Sequence, residues 1–254
     1  MRIAVAGKGG AGKTTISATL ARIVARSGRS VVAIDADTNP NLAVALGFSG
    51  VDVDRTPILP TTLVSRKFDG PGLKISVAAV LAAHATVGPD GVLLVRMGMP
   101  THAQEGCLCS AHAVGSALLG DLGDDHDRLT IMDLEASPEH LSRGTARHAD
   151  RLILVAEPYF RSLETVRRQA ALAAELPSTQ VGVVANKVRQ ESDADAIRDF
   201  VAELGLPLWG LLPWSDDVCE ADRAAVALVD HAPHSIVVQR IHDVAETLGV
   251  ASCV

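Results

Sequence analysis

Nine residues near one end of the chain, Gly7-Lys8-Gly9-Gly10-Ala11-Gly12-Lys13-Thr14-Thr15, fit the pattern G-x-x-x-x-G-K-[ST] at every fixed position. The pattern has a chemical purpose. Glycines let successive backbone N–H groups curl around phosphate oxygens that a side chain would obstruct. The N-terminus of the following helix adds partial positive charge to that field. Gly9, Gly10, Ala11 and Gly12 are the expected cradle, Lys13 the cation that reaches the β- and γ-phosphates, the Thr14 hydroxyl a magnesium ligand, and Thr15 a contact to the α-phosphate. A shorter glycine pattern would leave an ordinary strand–helix turn open. The longer match argues for a nucleoside triphosphate site.

A second group is Gly106-Cys107-Leu108-Cys109. Two cysteines one residue apart on a turn can face one soft metal, whereas a disulfide between them would close a strained ring. One chain supplies two thiolates and Zn²⁺ prefers four ligands in a tetrahedron, so a symmetric dimer would complete a four-sulfur site on its axis. Ni²⁺ or Cu⁺ would also accept thiolates. His102 and His112 lie close in sequence and could add nitrogen ligands. The competing reading makes both cysteines small buried hydrophobes. Cys219 and Cys253 lack paired spacing and carry no role.

The elements that must position these groups alternate. Residues 2–6 read as a short buried strand and residues 14–25 as a helix, with Ile16, Leu20, Ile23 and Val24 at helical spacing. Further apolar runs at 29–34, 92–95, 129–132, 152–155, 181–184 and 208–212 read as strands. Such alternation implies an α/β fold, a mostly parallel, doubly wound sheet with helices on both faces. Polar residues follow several runs: Asp35-Ala36-Asp37, Asp133, and Asn186-Lys187. Ligands bind at those carboxyl ends in open α/β sheets. Asp133, after a hydrophobic strand, fits the role of holding the magnesium shell. A lone Asp at a strand end often caps a helix instead, and Asp37 is placed to do so. Residues 48–72, with Pro57, Pro60 and Pro71, read as an irregular excursion.

Composition bounds the function. The 254 residues suffice for one large α/β domain, read as 1–254, and 48% hydrophobic with 21% charged residues is a globular balance. A net charge of −7 disfavours non-specific nucleic-acid binding, which needs a cationic surface. No apolar stretch reaches the roughly 20 residues of a membrane-spanning helix, so no membrane partner is expected. The first residues read as a core strand and not a signal peptide, and four cysteines beside a phosphate loop fit a cytoplasmic protein with reduced thiols.

Lys8, directly after the first glycine, is the mark of the deviant phosphate loop, and the chain resembles the SIMIBI ATPases, which include MinD and ParA, the nitrogenase iron protein, the arsenite-pump ATPase and metal-insertion ATPases. That resemblance implies a P-loop NTPase fold of SIMIBI type, ATP with Mg²⁺, and a homodimer in which Lys8 crosses to the partner's nucleotide and supplies positive charge in trans. It also implies that Asp37 orients the attacking water, that Asp35 helps hold magnesium through water, and that Asn186, Lys187 and Pro213, with Trp214 beside it, lie at the adenine.

Within that group the chain is similar to the CooC-type nickel-insertion ATPases. The residues that carry this are 8–15, 35–42, the Cys107/Cys109 pair, Asp133-Leu134-Glu135-Ala136 through Glu139-His140-Leu141 to Arg143-Gly144-Thr145, and Leu212-Pro213-Trp214 with Glu220-Ala221-Asp222-Arg223. Ser110 and Ser137 stand where that family usually has proline and glycine. The resemblance implies an ATP-dependent metallochaperone with Ni²⁺ or Zn²⁺ at a shared Cys-x-Cys site and a client metalloenzyme such as carbon monoxide dehydrogenase. Two other readings stay open. An electron-transfer ATPase like the nitrogenase iron protein would need a cysteine from a second segment, and 133–136 holds none. A positioning ATPase of the MinD or ParA kind would suit a basic amphipathic tail, whereas 236–248 carries Arg240, His242, Asp243 and Glu246.

Overall fold

The computed structural model describes the chain except residues 68–69, 99–108, 126, 138, 143, 177–178 and 252–254. Its central strands are near-continuous aliphatic runs, as befits strands covered on both faces. Among the described residues the strands are β1 (Arg2–Gly7), β2 (Val31–Ala36), β3 (Val64–Lys67), β4 (Gly70–Leu73), β5 (Thr86–Val87), β6 (Leu93–Arg96), β7 (Leu129–Leu134), β8 (Arg151–Ala156), β9 (Gln180–Val188) and β10 (Leu208–Pro213). Eight of them form one sheet in the order β10-β9-β8-β1-β7-β2-β6-β5. Every neighbour is parallel except β5, which runs antiparallel to β6 at the edge.

Alternate residues of β1 serve opposite layers. Ile3 and Val5 pack with Ile16, Leu20 and Val24 of the helix Lys13–Arg26 and with Ile241 and Val244 of the helix Ile236–Thr247. Ala4 and Ala6 face Leu118 of the helix Cys109–Asp121, Val166 of Phe160–Ala173 and Ile197 of Glu191–Glu203. Each such buried Ile, Leu or Val side chain contributes roughly 1.5–3 kcal/mol. The chain leaves β1, forms the helix Lys13–Arg26 and enters β2 on the far side of β7. The carboxyl ends of β1, β7 and β2 therefore open on one crevice.

The doubly wound sheet with helices on both faces is as expected. Residues 48–67 and 70–72 hold more regular structure than expected. They hold a short helix, Gly50–Arg55, a 3₁₀ turn, Thr61–Leu63, and the first part of the antiparallel pair β3–β4. Pro57 and Pro60 fall between the first two pieces, whereas Pro71 lies within β4, where Gly70, Pro71 and Gly72 gave no strand signal in the sequence. The strand β5 was also hidden, because two residues carry no period; the turn Pro89-Asp90-Gly91, with Asp90 at φ 54°, sends it back along β6.

Candidate nucleotide site

The glycine-rich loop joins β1 to the helix Lys13–Arg26, the context its pattern requires. Two glycines are dictated by space as well as by φ. A Cβ on Gly7 would sit 2.7 Å from the Val155 carbonyl oxygen, at φ 153°. One on Gly12, which caps the helix at φ 99°, would sit 2.2 Å from Asn186 Nδ2. The loop is thus pressed against β8 and against the end of β9. Asn186 Nδ2 donates to the Ala11 carbonyl at 2.7 Å, and Lys187 Nζ to the Gly10 carbonyl at 2.5 Å. Lys187 takes a left-handed φ of 60°, an uncommon conformation for a lysine, held here by those contacts.

On the inner side of the loop, Lys13 is buried and its Nζ reaches the Lys8 carbonyl at 3.4 Å. Burial lowers its pKa, and Asp133, Asp37 and Glu135 pull the other way. Thr14 Oγ1 donates to Asp133 Oδ2 at 2.6 Å and Ser17 Oγ to Asp133 Oδ1 at 3.1 Å. Asp35 and Asp133 are register partners on β2 and β7, and both are 1% exposed. Burial first, then the Asp133 charge, pushes Asp35 up to about 7; burial pushes Asp133 up to about 6. Two adjacent buried carboxylates resist joint ionisation.

A divalent cation would reverse that. The donors are hard oxygens: two carboxylates and a hydroxyl whose proton is already given to Asp133, which leaves its lone pairs free. That set suits Mg²⁺, which takes one or two carboxylates and completes its shell with phosphates and water. Among the described residues no three His, Cys, Asp or Glu side chains gather into a protein-only metal cage.

The segment after β2 is held at both ends. Asp35 Oδ2 accepts from Leu42 N at 3.0 Å, and the buried Arg22 donates to the Leu46 carbonyl at 2.6 Å. Arg22 is itself clamped by Asp90 and Asp230. Between the two ends, the half-buried Asp37 accepts from Asn39 N at 2.8 Å, so its carboxylate closes an Asx turn at the crevice and does not cap the helix Leu42–Leu46.

At the far side of the loop, Lys8 Nζ lies 3.3 Å from Tyr159 Oη, which donates to Glu157 Oε2 at 2.5 Å. Glu157 Oε1 also pairs with Lys187 Nζ at 2.9 Å. Pro213, at the end of β10, is the ladder partner of Val188, and Arg189 stacks 3.9 Å from the Trp214 ring centroid. The adenine candidates Asn186, Lys187 and Pro213 therefore occur together.

The sequence reading missed Ser17, Arg22, Glu157 and Tyr159. Ser17 had a signal, lying three residues after Thr14 on the same helix face. Glu157 had one too, a charge at the end of an apolar strand. Gly9 and Gly10 are exposed and Thr15 is half-buried along the loop and first turn. Cys107 and His102 lie outside the described residues; Cys109 is the first residue of the helix Cys109–Asp121. His112 is buried, with Nδ1 3.3 Å from Thr145 Oγ1, so it packs inward and is not offered to a ligand at the surface.

The sequence matches the CobQ/CobB/MinD/ParA nucleotide binding domain over residues 3–228. It is 32% identical to the carbon monoxide dehydrogenase accessory protein CooC of Rhodospirillum rubrum, over 99% of this chain and 100% of that protein. It is 33% identical to an uncharacterized ATP-binding protein of Methanocaldococcus jannaschii, over 87% of this chain and 88% of that one. Among solved structures, the septum site-determining protein MinD of Pyrococcus horikoshii, complexed with Mg-ADP, shares the fold with a TM-score of 0.66 at 18% identity, covering 99% of each chain. A phosphate loop backed by paired strand-end carboxylates, in a parallel sheet of this order, and a sequence match across most of its length place this chain in the CobQ/CobB/MinD/ParA family of nucleotide-binding proteins.

Proposed function

We propose that the chain is a single-domain, ATP-dependent metallochaperone, which binds nickel between two subunits and delivers it to a client enzyme of the carbon monoxide dehydrogenase kind. One observation carries the reading: end-to-end similarity to a carbon monoxide dehydrogenase accessory protein, in a chain that holds Cys107-Leu108-Cys109.

Each residue then has a task. Backbone N–H groups from Gly9 to Thr15 cradle the phosphates, and Lys13 exchanges the Lys8 carbonyl for phosphate oxygens. Thr14, Asp133 and Asp35 would hold Mg²⁺, which would supply neutralising charge to the triphosphate. Asp37 orients the attacking water toward the γ-phosphate. Lys8 reaches the nucleotide of a second copy and draws two subunits together. Asn186, Lys187 and Pro213 frame the base. The Cys107/Cys109 pairs of two copies meet as one thiolate site that takes Ni²⁺ or Zn²⁺ as cargo. Hydrolysis withdraws the γ-phosphate contacts, frees the segments that follow Asp35 and Asp133, and changes the metal affinity.

The test is the number of metal ions per chain, with Ni²⁺ and Zn²⁺, on reduced protein. One ion per dimer, lost in Cys107→Ser/Cys109→Ser while ATP binding persists, is the expected result. Unchanged metal affinity in that variant would sink the assignment and favour a MinD-like partner switch, whose fold the chain shares.

A further inference from the structure

Two lysines flank the phosphate loop, and one buried carboxylate serves both. Glu157, 5% exposed at the end of β8, pairs directly with Lys187, which in turn donates to the Gly10 carbonyl. Its other oxygen accepts the Tyr159 hydroxyl proton, and that hydroxyl turns its lone pair toward Lys8 Nζ. The Lys8 ammonium also sits 5.4 Å from the Tyr159 ring centroid and 3.4 Å from the Gly9 carbonyl. Lys8 is thus held by neutral oxygens and a ring face, and meets the carboxylate only through the tyrosine.

The two attachments differ in strength. Lys187 has a charged partner and a buried one, whereas Lys8 is half-buried and its partners are uncharged. The Lys187–Glu157 pair joins opposite charges at 2.9 Å, a Coulombic attraction that the neutral oxygens around Lys8 do not supply. An incoming phosphate therefore outcompetes Tyr159 for Lys8, while Lys187 keeps Glu157. Tyr159 itself stays protonated: its burial and its bond to Glu157 raise its pKa. Its ring is 42% exposed, so it can release Lys8 without disturbing the core.

We propose that Tyr159, fixed by Glu157, is a positioning residue that parks Lys8 on its own loop and so restrains association with a second copy until nucleotide is bound. This rests on the reading of Lys8 as the residue that crosses to the partner. The parking contact is a cost that two subunits must overcome twice, once for each Lys8. Removing the hydroxyl lowers it and leaves the phosphate cradle untouched.

The experiment is sedimentation velocity on the full chain over a range of protein concentrations, with Mg²⁺ and a non-hydrolysable ATP analogue, for wild type, Tyr159→Phe and Lys8→Ala. Affinity for Mg-ADP is measured alongside by calorimetry. Tyr159→Phe should form the dimer at about five- to a hundredfold lower protein concentration, the scale of two modest hydrogen bonds per dimer, with Mg-ADP affinity unchanged. A merely structural role would weaken association and nucleotide binding together. Association by Tyr159→Phe at the wild-type concentration or above, while Lys8→Ala fails to dimerise, overturns the parking role alone. Dimerisation of Lys8→Ala like wild type removes the reading of Lys8 and the inference with it.

Discussion

The two sides of the phosphate loop are built on opposite electrostatic plans. On the inner side, Asp35 and Asp133 are sealed from solvent, fixed in register on adjacent strands and tied to Thr14, Ser17 and Leu42 N. On the outer side, Lys8 and Lys187 stand half-buried around a single buried acid, Glu157. The inner side crowds buried carboxylates that a proton or a metal cation relieves. The outer side holds an excess of positive charge that suits phosphate. The inner side is rigid because the strands fix it, whereas the outer side is adjustable because long side chains supply its charge. In the proposed function the first side holds the cation and the second, through Lys8, reaches a second copy.

The largest effect expected is on hydrolysis. If Asp37 orients the attacking water as proposed, Asp37→Ala should reduce phosphate release in single turnover by about a hundredfold or more while nucleotide still binds. Loss of binding in that variant would make Asp37 a structural group of the inner side. Lys13→Ala should weaken Mg-ATP binding on the order of a hundredfold, because it removes a buried cation from the inner side of the loop, where the proposed phosphates bind. Calorimetry that returned wild-type affinity would refute the loop assignment.

Smaller effects test the rigidity of the inner side. Gly12→Ala should cost about 2 kcal/mol in denaturant unfolding, from the left-handed φ and the clash with Asn186. An unchanged midpoint would mean that the loop gives way where the account has it fixed. The smallest effect is that of pH. Asp35 has a folded pKa near 7, above its unfolded value of 3.8. Between those values the folded state binds more protons than the unfolded one, so the nucleotide-free protein should lose stability as pH rises from about 4 to 7. Urea unfolding midpoints should fall across that window, and Asp35→Asn should reduce the slope to the part that Asp133, raised in the same direction, still contributes.

Legibility followed the length of the signal. The loop was plain because its function sets residue type at fixed spacing, and Gly7 and Gly12 have no room for another residue. Asp133 was plain because it ends the apolar strand β7. Glu157 ends β8 in the same way, yet its importance lies in whom it pairs with, and Lys187 is 30 residues away in sequence. Tyr159, the only tyrosine of the chain, had no pattern to mark it. Arg22 sits among apolar helix residues where solvent exposure seemed natural, and only the fold brings Asp90 and Asp230 to it. The hairpin β3–β4 was invisible because Gly70-Pro71-Gly72 reads as a turn. His112 looked like a ligand by proximity to the cysteines, and helix periodicity turns it inward to Thr145.

The central claim is that nucleotide state governs metal affinity, and it is tested most directly by titrating Ni²⁺ into reduced protein saturated with Mg-ADP and, separately, with a non-hydrolysable ATP analogue. Linkage requires that a gated site show different affinities in the two states, here about tenfold or more, and that Ni²⁺ shift nucleotide affinity by the same factor. Equal Ni²⁺ affinity in both states would contradict the account, leaving a nucleotide switch and a cysteine pair with no connection between them.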